Sequence, residues 1–302
     1  MAKPIHVAKF KAGTSAGKAA SRVLTAATDD VREHVATALV GDVHGIHDMR
    51  VSVKRLREAM RLFRRLLPTK RRARVMPQVE LLNDCLGAVR ECDVLILDAE
   101  ELGQEVADDG GLLAASTDAW RAERGEAFTH LLKVWSRMMS EGLFDALEEV
   151  ARRTGKRGRS ANRLPISRFA WESIREAKER VDDRLCQALA TDDAQPLHRL
   201  RIAIKRLKYS IEPFHSLLPL LKQPFAVITE AQELLGLTHD LDVLRERIAA
   251  HLAEVEDARL DAAEGVLRLL DVRRGERYAQ SREIIHVFGE RDFTRALMDA
   301  ID

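Results

Sequence analysis

The stretch His47-Asp48-Met49-Arg50-Val51-Ser52-Val53-Lys54-Arg55-Leu56-Arg57 returns later in the chain as His198-Arg199-Leu200-Arg201-Ile202-Ala203-Ile204-Lys205-Arg206-Leu207-Lys208. At a constant offset of 151, nine of about twenty positions are identical between the copies. His47, Arg50, Lys54, Arg55, Leu56, Phe63, Leu66, Leu67 and Pro68 fall on His198, Arg201, Lys205, Arg206, Leu207, Phe214, Leu217, Leu218 and Pro219. A second match follows at an offset of 149, where Leu86-Gly87 pairs with Leu235-Gly236 and Asp93-Val94-Leu95 with Asp242-Val243-Leu244. Two matches in one order and at near-equal spacing mark the duplication of a whole half of the chain.

Each copy reads as one α-helix with two stripes. The apolar stripe is Met49, Val53, Leu56, Met60, Phe63 and Leu67, repeated as Leu200, Ile204, Leu207, Ile211, Phe214 and Leu218. Steps of four and three place each set on a single face. Burying such a side chain is worth about 1.5–3 kcal/mol, so six of them anchor the helix in a bundle. The polar stripe is His47, Arg50, Lys54, Arg57 and Arg61, repeated as His198, Arg201, Lys205 and Lys208 before Glu212 breaks it. At 100° per residue it covers an arc of about 80° beside the buried face. A lone basic stripe is ordinarily a solvated face. Here no acid at i±4 neutralises Arg50 or Lys54, and the same uncompensated charges recur in the duplicate. An extended anion lying between the two helices accounts for both facts.

The rest of the chain is consistent with a helical binder. Of 302 residues, 46% are hydrophobic and only 5% aromatic, which favours helices and a sizeable core over strands or disorder. The net charge of +1 hides a segregation of signs. Residues 50–74 hold eleven Lys/Arg against one acid, and residues 152–168 hold seven with none. Such blocks make local positive surfaces. Three cysteines without a Cys-x-x-Cys spacing exclude a disulfide framework or zinc module and fit a reducing cytoplasm. The first thirty residues lack a signal-peptide core, and no apolar run reaches the ~18–20 residues that span a bilayer. Breaks are expected at Gly41-Asp42, Pro68-Thr69, Asp109-Gly110-Gly111, 154–165, 192–196 and 219–224. They leave about four long helices in a first half, 16–153, a basic linker, 154–165, and four in a second half, 166–290. Pro213 is expected to kink the second basic helix.

The paired His-x-x-Arg…Lys-Arg-Leu-Arg/Lys segments resemble the CHAD domain, the conserved histidine α-helical domain. The second motif is similar as well, in Leu86-Gly87…Arg90-Glu91-Cys92-Asp93-Val94 and Leu235-Gly236…His239-Asp240-Leu241-Asp242-Val243. The likeness runs from about residue 21 to about 287, so that the chain reads as one domain of this kind. It implies an all-α fold of two four-helix bundles related by pseudo-twofold symmetry. It also implies a groove or pore that binds inorganic polyphosphate, in proteins associated with polyphosphate granules in the cytoplasm. Carried over by position, the contacts are His47, Arg50, Lys54 and Arg57 with His198, Arg201, Lys205 and Lys208. Arg61 extends the first stripe, while Arg55 and Arg206 match the motif but point off it. The departures are Glu91 in place of the usual Asp and His239 in place of the Arg. Asp93 and Asp242 read as structural groups that grip basic residues or helix ends.

Three other functions compete. A metal-dependent phosphohydrolase could use His44, His47 and Asp48, with His239-Asp240 as a further pair. The repeat keeps only His198 of that cluster, and Arg50, Lys54 and Arg57 would repel a cation. Nucleic acid could meet the same basic surface weakly and nonspecifically, although the chain has only three Trp and two Tyr for stacking bases. The segment Gly13-Thr14-Ser15-Ala16-Gly17-Lys18 imitates a phosphate-binding loop, but it has three residues between its glycines and Ala19 after the Lys. No Glu-x-Glu-x-Lys of a triphosphate-processing tunnel is present. The expectation is a binding protein without catalysis, metal or cofactor, and a stronger anion contact on the first basic helix than on its twin.

Overall fold

Asp42 starts the first basic helix: its carboxylate accepts a hydrogen bond from the Gly45 N–H at 2.6 Å, satisfying one of the free donors of the first turn. Gly45 is also where that helix meets the one before it. A Cβ there would lie 2.5 Å from the Thr37 backbone carbon, so only glycine permits this approach. The computed structural model describes residues 10–11, 13–106, 111–156, 161–190, 194–214, 218–252 and 260–300. Among them the first half is α1 (Ala16–Leu39), α2 (Val43–Leu62), α3 (Thr69–Glu105), α4 (Leu112–Ser140) and α5 (Leu143–Thr154). The second is α6 (Ile166–Leu189), α7 (Ala194–Ile211), α8 (Lys222–Leu252), α9 (Leu260–Gly289) and α10 (Arg291–Asp299). No strand occurs among the described residues, and the fold class is all-α as expected.

Each half thus has four long helices and a short fifth. The sequence shows no strong break before α5, because helical periodicity continues through it; Gly142, with φ +73°, is the residue that turns the chain. Pro213 ends the second basic helix rather than kinking it. α7 stops at Ile211 and a 3-10 turn, Glu212–Phe214, follows. Pro224 falls in the first turn of α8, where a missing N–H costs nothing.

The core joins the halves. Phe63 and its repeat partner Phe214 are both fully buried and meet edge to face at 6.2 Å, and Phe169 of α6 stacks on Phe63 at 5.3 Å. A smaller second core forms at the far ends of the long hairpins, from Leu102 and Trp120 in one half and Leu244 and Leu270 in the other. The two predicted carboxylate grips are present in parallel: Arg124 of α4 donates to Asp93 of α3 at 2.5 Å, and Arg274 of α9 donates to Asp242 of α8. Leu217 of the repeat lies outside the described residues.

The described residues of the linker are docked on α1 and its N-terminal turn. The Ala16 N–H donates to the Leu164 carbonyl at 2.7 Å, and the Ile166 N–H to Thr14 at 2.8 Å. Asn162 donates to the Thr154 carbonyl at 3.0 Å, and a Cβ on Gly17 would lie 2.9 Å from the Asn162 Cβ. The segment that imitates a phosphate loop is therefore packed against the linker. In the basic stretch 152–168 that contains the linker, Arg152 and Arg153 are paired with Glu149 and Arg168 with Glu172; Arg157 and Arg159 lie outside the described residues.

Candidate anion-binding site

The two basic stripes face each other across the seam between α2 and α7. His47, Arg50, Lys54 and Arg57 on one side, and His198, Arg201, Lys205 and Lys208 on the other, are all half-buried. Lys54 and Lys205, a repeat pair, come together closely enough for each to perturb the other's amine. Burial holds Lys54 down to about 5, and Lys205, Arg50 and Arg201 add repulsion. Burial lowers Lys205 too. Among the described residues, none of Arg50, Lys54, Arg201 and Lys205 forms an ion pair.

Further residues enter the seam from α3 and α8, and they belong to the second repeated motif. Burial lowers both His47 and Arg50, and Arg90 of α3, which lies near them, adds repulsion. Its counterpart His239 of α8 meets the ring of His198 at 5.2 Å, and burial lowers it to about 4. Each motif histidine of the basic helices is thus faced by the basic residue of the second motif. Arg50 lies along α3 at Gly87, where a Cβ would be in ordinary contact with its Nε at 3.8 Å. Asp240 is the carboxylate of the site, near Arg201, Arg50, Arg90 and Lys54, with burial raising it above its ordinary range. The sequence marks Arg90 and His239-Asp240 as motif residues and gives them no place in the stripe. Periodicity along one helix cannot report what another helix brings to it.

At the α7 end the stripe is partly neutralised. Arg57 donates to Glu58 at 2.9 Å, and Lys208 to the Gln232 amide oxygen at 2.9 Å. The Lys54 Nζ lies over the ring of Tyr209, 5.8 Å from its centre. Arg61 leaves the stripe: it pairs with Glu58 and with Glu80 of α3. Arg55 is held by Glu212 at 3.0 Å, in a nearly buried pair that links the halves. Arg206, its repeat partner, is exposed on a neighbouring cavity.

The metal reading finds no ligand set. Among the described residues, no three His, Cys, Asp or Glu side chains are grouped so as to hold a metal ion. His44 is exposed, and the charged neighbours of His47 include Arg90 and Arg50. Among the described residues no helix is long and apolar enough to cross a membrane.

A family model for the CHAD domain matches residues 22–249. Among solved structures, the crystal structure of the CHAD domain from the plant Ricinus communis is similar over 96% of each chain, at 23% identity and a TM-score of 0.73. PptA from Streptomyces chartreusis is similar over 91% of this chain and 99% of that one, at 15% identity and a TM-score of 0.59. Identities this low speak for a shared fold. No curated protein matches.

Proposed function

The chain belongs to the CHAD domain family, and on that premise we propose that it binds inorganic polyphosphate along the seam of α2 and α7, without catalysing a reaction on it. The observation that carries this reading is the pairing of Lys54 with Lys205. Two repeat-related lysines meet half-buried in the seam beside two arginines, and among the described residues none of the four forms an ion pair. Such a cluster destabilises the free protein and is relieved by a ligand that brings regularly spaced negative charge.

Polyphosphate has that chemistry, with about one charge per phosphate and no base to recognise. Arg50, Arg90 and Arg201 offer planar donors for phosphate oxygens, while Lys54 and Lys205 act as point charges. His47 and His198, both lowered in the free protein, gain protons beside an anion. Asp240 sets a gap in the positive surface. In this reading the groove holds the chain by charge alone, and the protein is carried with its ligand to polyphosphate granules in the cytoplasm.

Salt titration tests it. If ~6 phosphates are neutralised, the log–log dependence of affinity on salt has a slope of about −4 by analogy with single strands. A slope near zero would remove the electrostatic groove. Nucleic acid is separated by competition, since DNA is expected to displace long polyphosphate only at a large excess of charge. Displacement at equal charge would favour DNA as the ligand.

A further inference from the structure

Among the positions where the two copies differ, one pair reverses charge, and a second cavity opens beside it. Glu212 of the second copy stands where the first has Arg61. On one side of the seam Glu212 meets Arg55, with both side chains only about one-tenth exposed, and the space beside them, between Glu58 and Tyr209, is about 20 Å³. That is room for about one water. On the other side the equivalent positions are Arg61 and Arg206, two cations that cannot pair. There the space is about 490 Å³, in the range of small-ligand pockets.

Arginines dominate its polar lining: Arg61, Arg64, Arg65, Arg72, Arg180 and Arg206, against the four carboxylates Glu58, Glu80, Glu172 and Glu176. Arg61 and Arg180 are satisfied by those carboxylates. Arg65, Arg72 and Arg206 form no ion pair among the described residues. The Arg72 Nε is also buried without a hydrogen-bond partner. Guanidiniums that line a cavity without a carboxylate partner offer charge-assisted donors, and an oxyanion is the acceptor that matches them.

We propose that this arginine-lined cavity is a second anion site, which takes a compact phosphoryl group independently of the groove between α2 and α7. Tyr209 lines the cavity and also lies under the Lys54 amine, so the two sites are neighbours with a shared wall. The phosphoryl group could come from a free short oligophosphate or from the end of a long chain. The chemistry of recognition is the same.

Calorimetry of the full chain with tripolyphosphate tests the proposal, comparing wild type with Arg72→Gln plus Arg206→Gln, with Arg206→Gln alone, and with Arg50→Ala plus Arg201→Ala. The double cavity variant should lose one tripolyphosphate site or weaken it at least about tenfold, as losing a charge-assisted bond implies. Arg206 is exposed, so the single variant keeps the fold and should show the same loss in smaller measure. The groove variant should retain the cavity's site. Retention of wild-type affinity and stoichiometry by both cavity variants overturns the proposal and leaves the groove untouched. Long polyphosphate separates the two sources: weaker binding to the cavity variant identifies a chain end, and unchanged binding identifies a free short anion.

Discussion

Lys54 is where burial and charge conflict most. Its amine is held down to about 5 from an ordinary 10.5, so the unfolded chain binds more protons than the folded one throughout that interval. Stability of the ligand-free protein therefore falls as pH drops from about 10 towards 5, with Lys205, Arg50 and Arg201 contributing the repulsion. Lys54→Met is expected to raise the thermal midpoint of the free protein, by the equivalent of about 1 kcal/mol, and to flatten that pH dependence. The same change should weaken polyphosphate binding, which calorimetry would read. Anion binding restores the charged amine, so it takes up protons and strengthens as pH falls from 8 to 6. Titrations at pH 7 in buffers of different ionisation enthalpy should show that uptake, and none would contradict the assignment of Lys54 to the ligand. The stripe itself was legible because steps of three and four put its members on one face. Asp240 and Tyr209 were not, since only packing brings α8 and the end of α7 to Lys54.

At the scale of elements, the long hairpins are pinned by repeated carboxylate–arginine grips whose burial differs. The Asp93 side chain is 1% exposed, whereas Asp242 is 23% exposed. Arg124→Ala leaves a buried carboxylate unpaired and also frees the Gly41 carbonyl, so a loss of about 3–5 kcal/mol is expected. Arg274→Ala exposes its partner to water and should cost about 1 kcal/mol. Urea unfolding of the two variants checks the order, and equal losses would mean that the halves are held alike. Gly45→Ala should cost about 1–3 kcal/mol, because α1 and α2 must separate to admit a methyl group. The aspartates of these grips could be found from the repeat, since both stand in the second motif. The starts of α5 and α10 could not, because Gly142 and Glu290 interrupt an otherwise continuous helical pattern.

For the whole molecule, the duplication does more than double a helix. One core runs through both halves, Phe63 meets Phe214 across the seam, and Arg55 reaches Glu212. The seam thus acts as a rigid support that holds like charges together against their repulsion. Its two flanks differ because Glu212 stands in one copy where Arg61 stands in the other: one is closed by an ion pair and the other opens on an arginine cavity. Composition and repeats carried the fold class, yet they could not foresee this asymmetry, which depends on which residues face across the seam. The most direct test of the central claim is calorimetry with long polyphosphate, comparing wild type with Arg50→Ala plus Arg201→Ala. Both guanidiniums are half-buried in the seam and unpaired, so the double variant should bind about 100-fold more weakly, with a thermal midpoint no lower than wild type. Equal affinity in the two proteins would contradict the groove between the repeated helices.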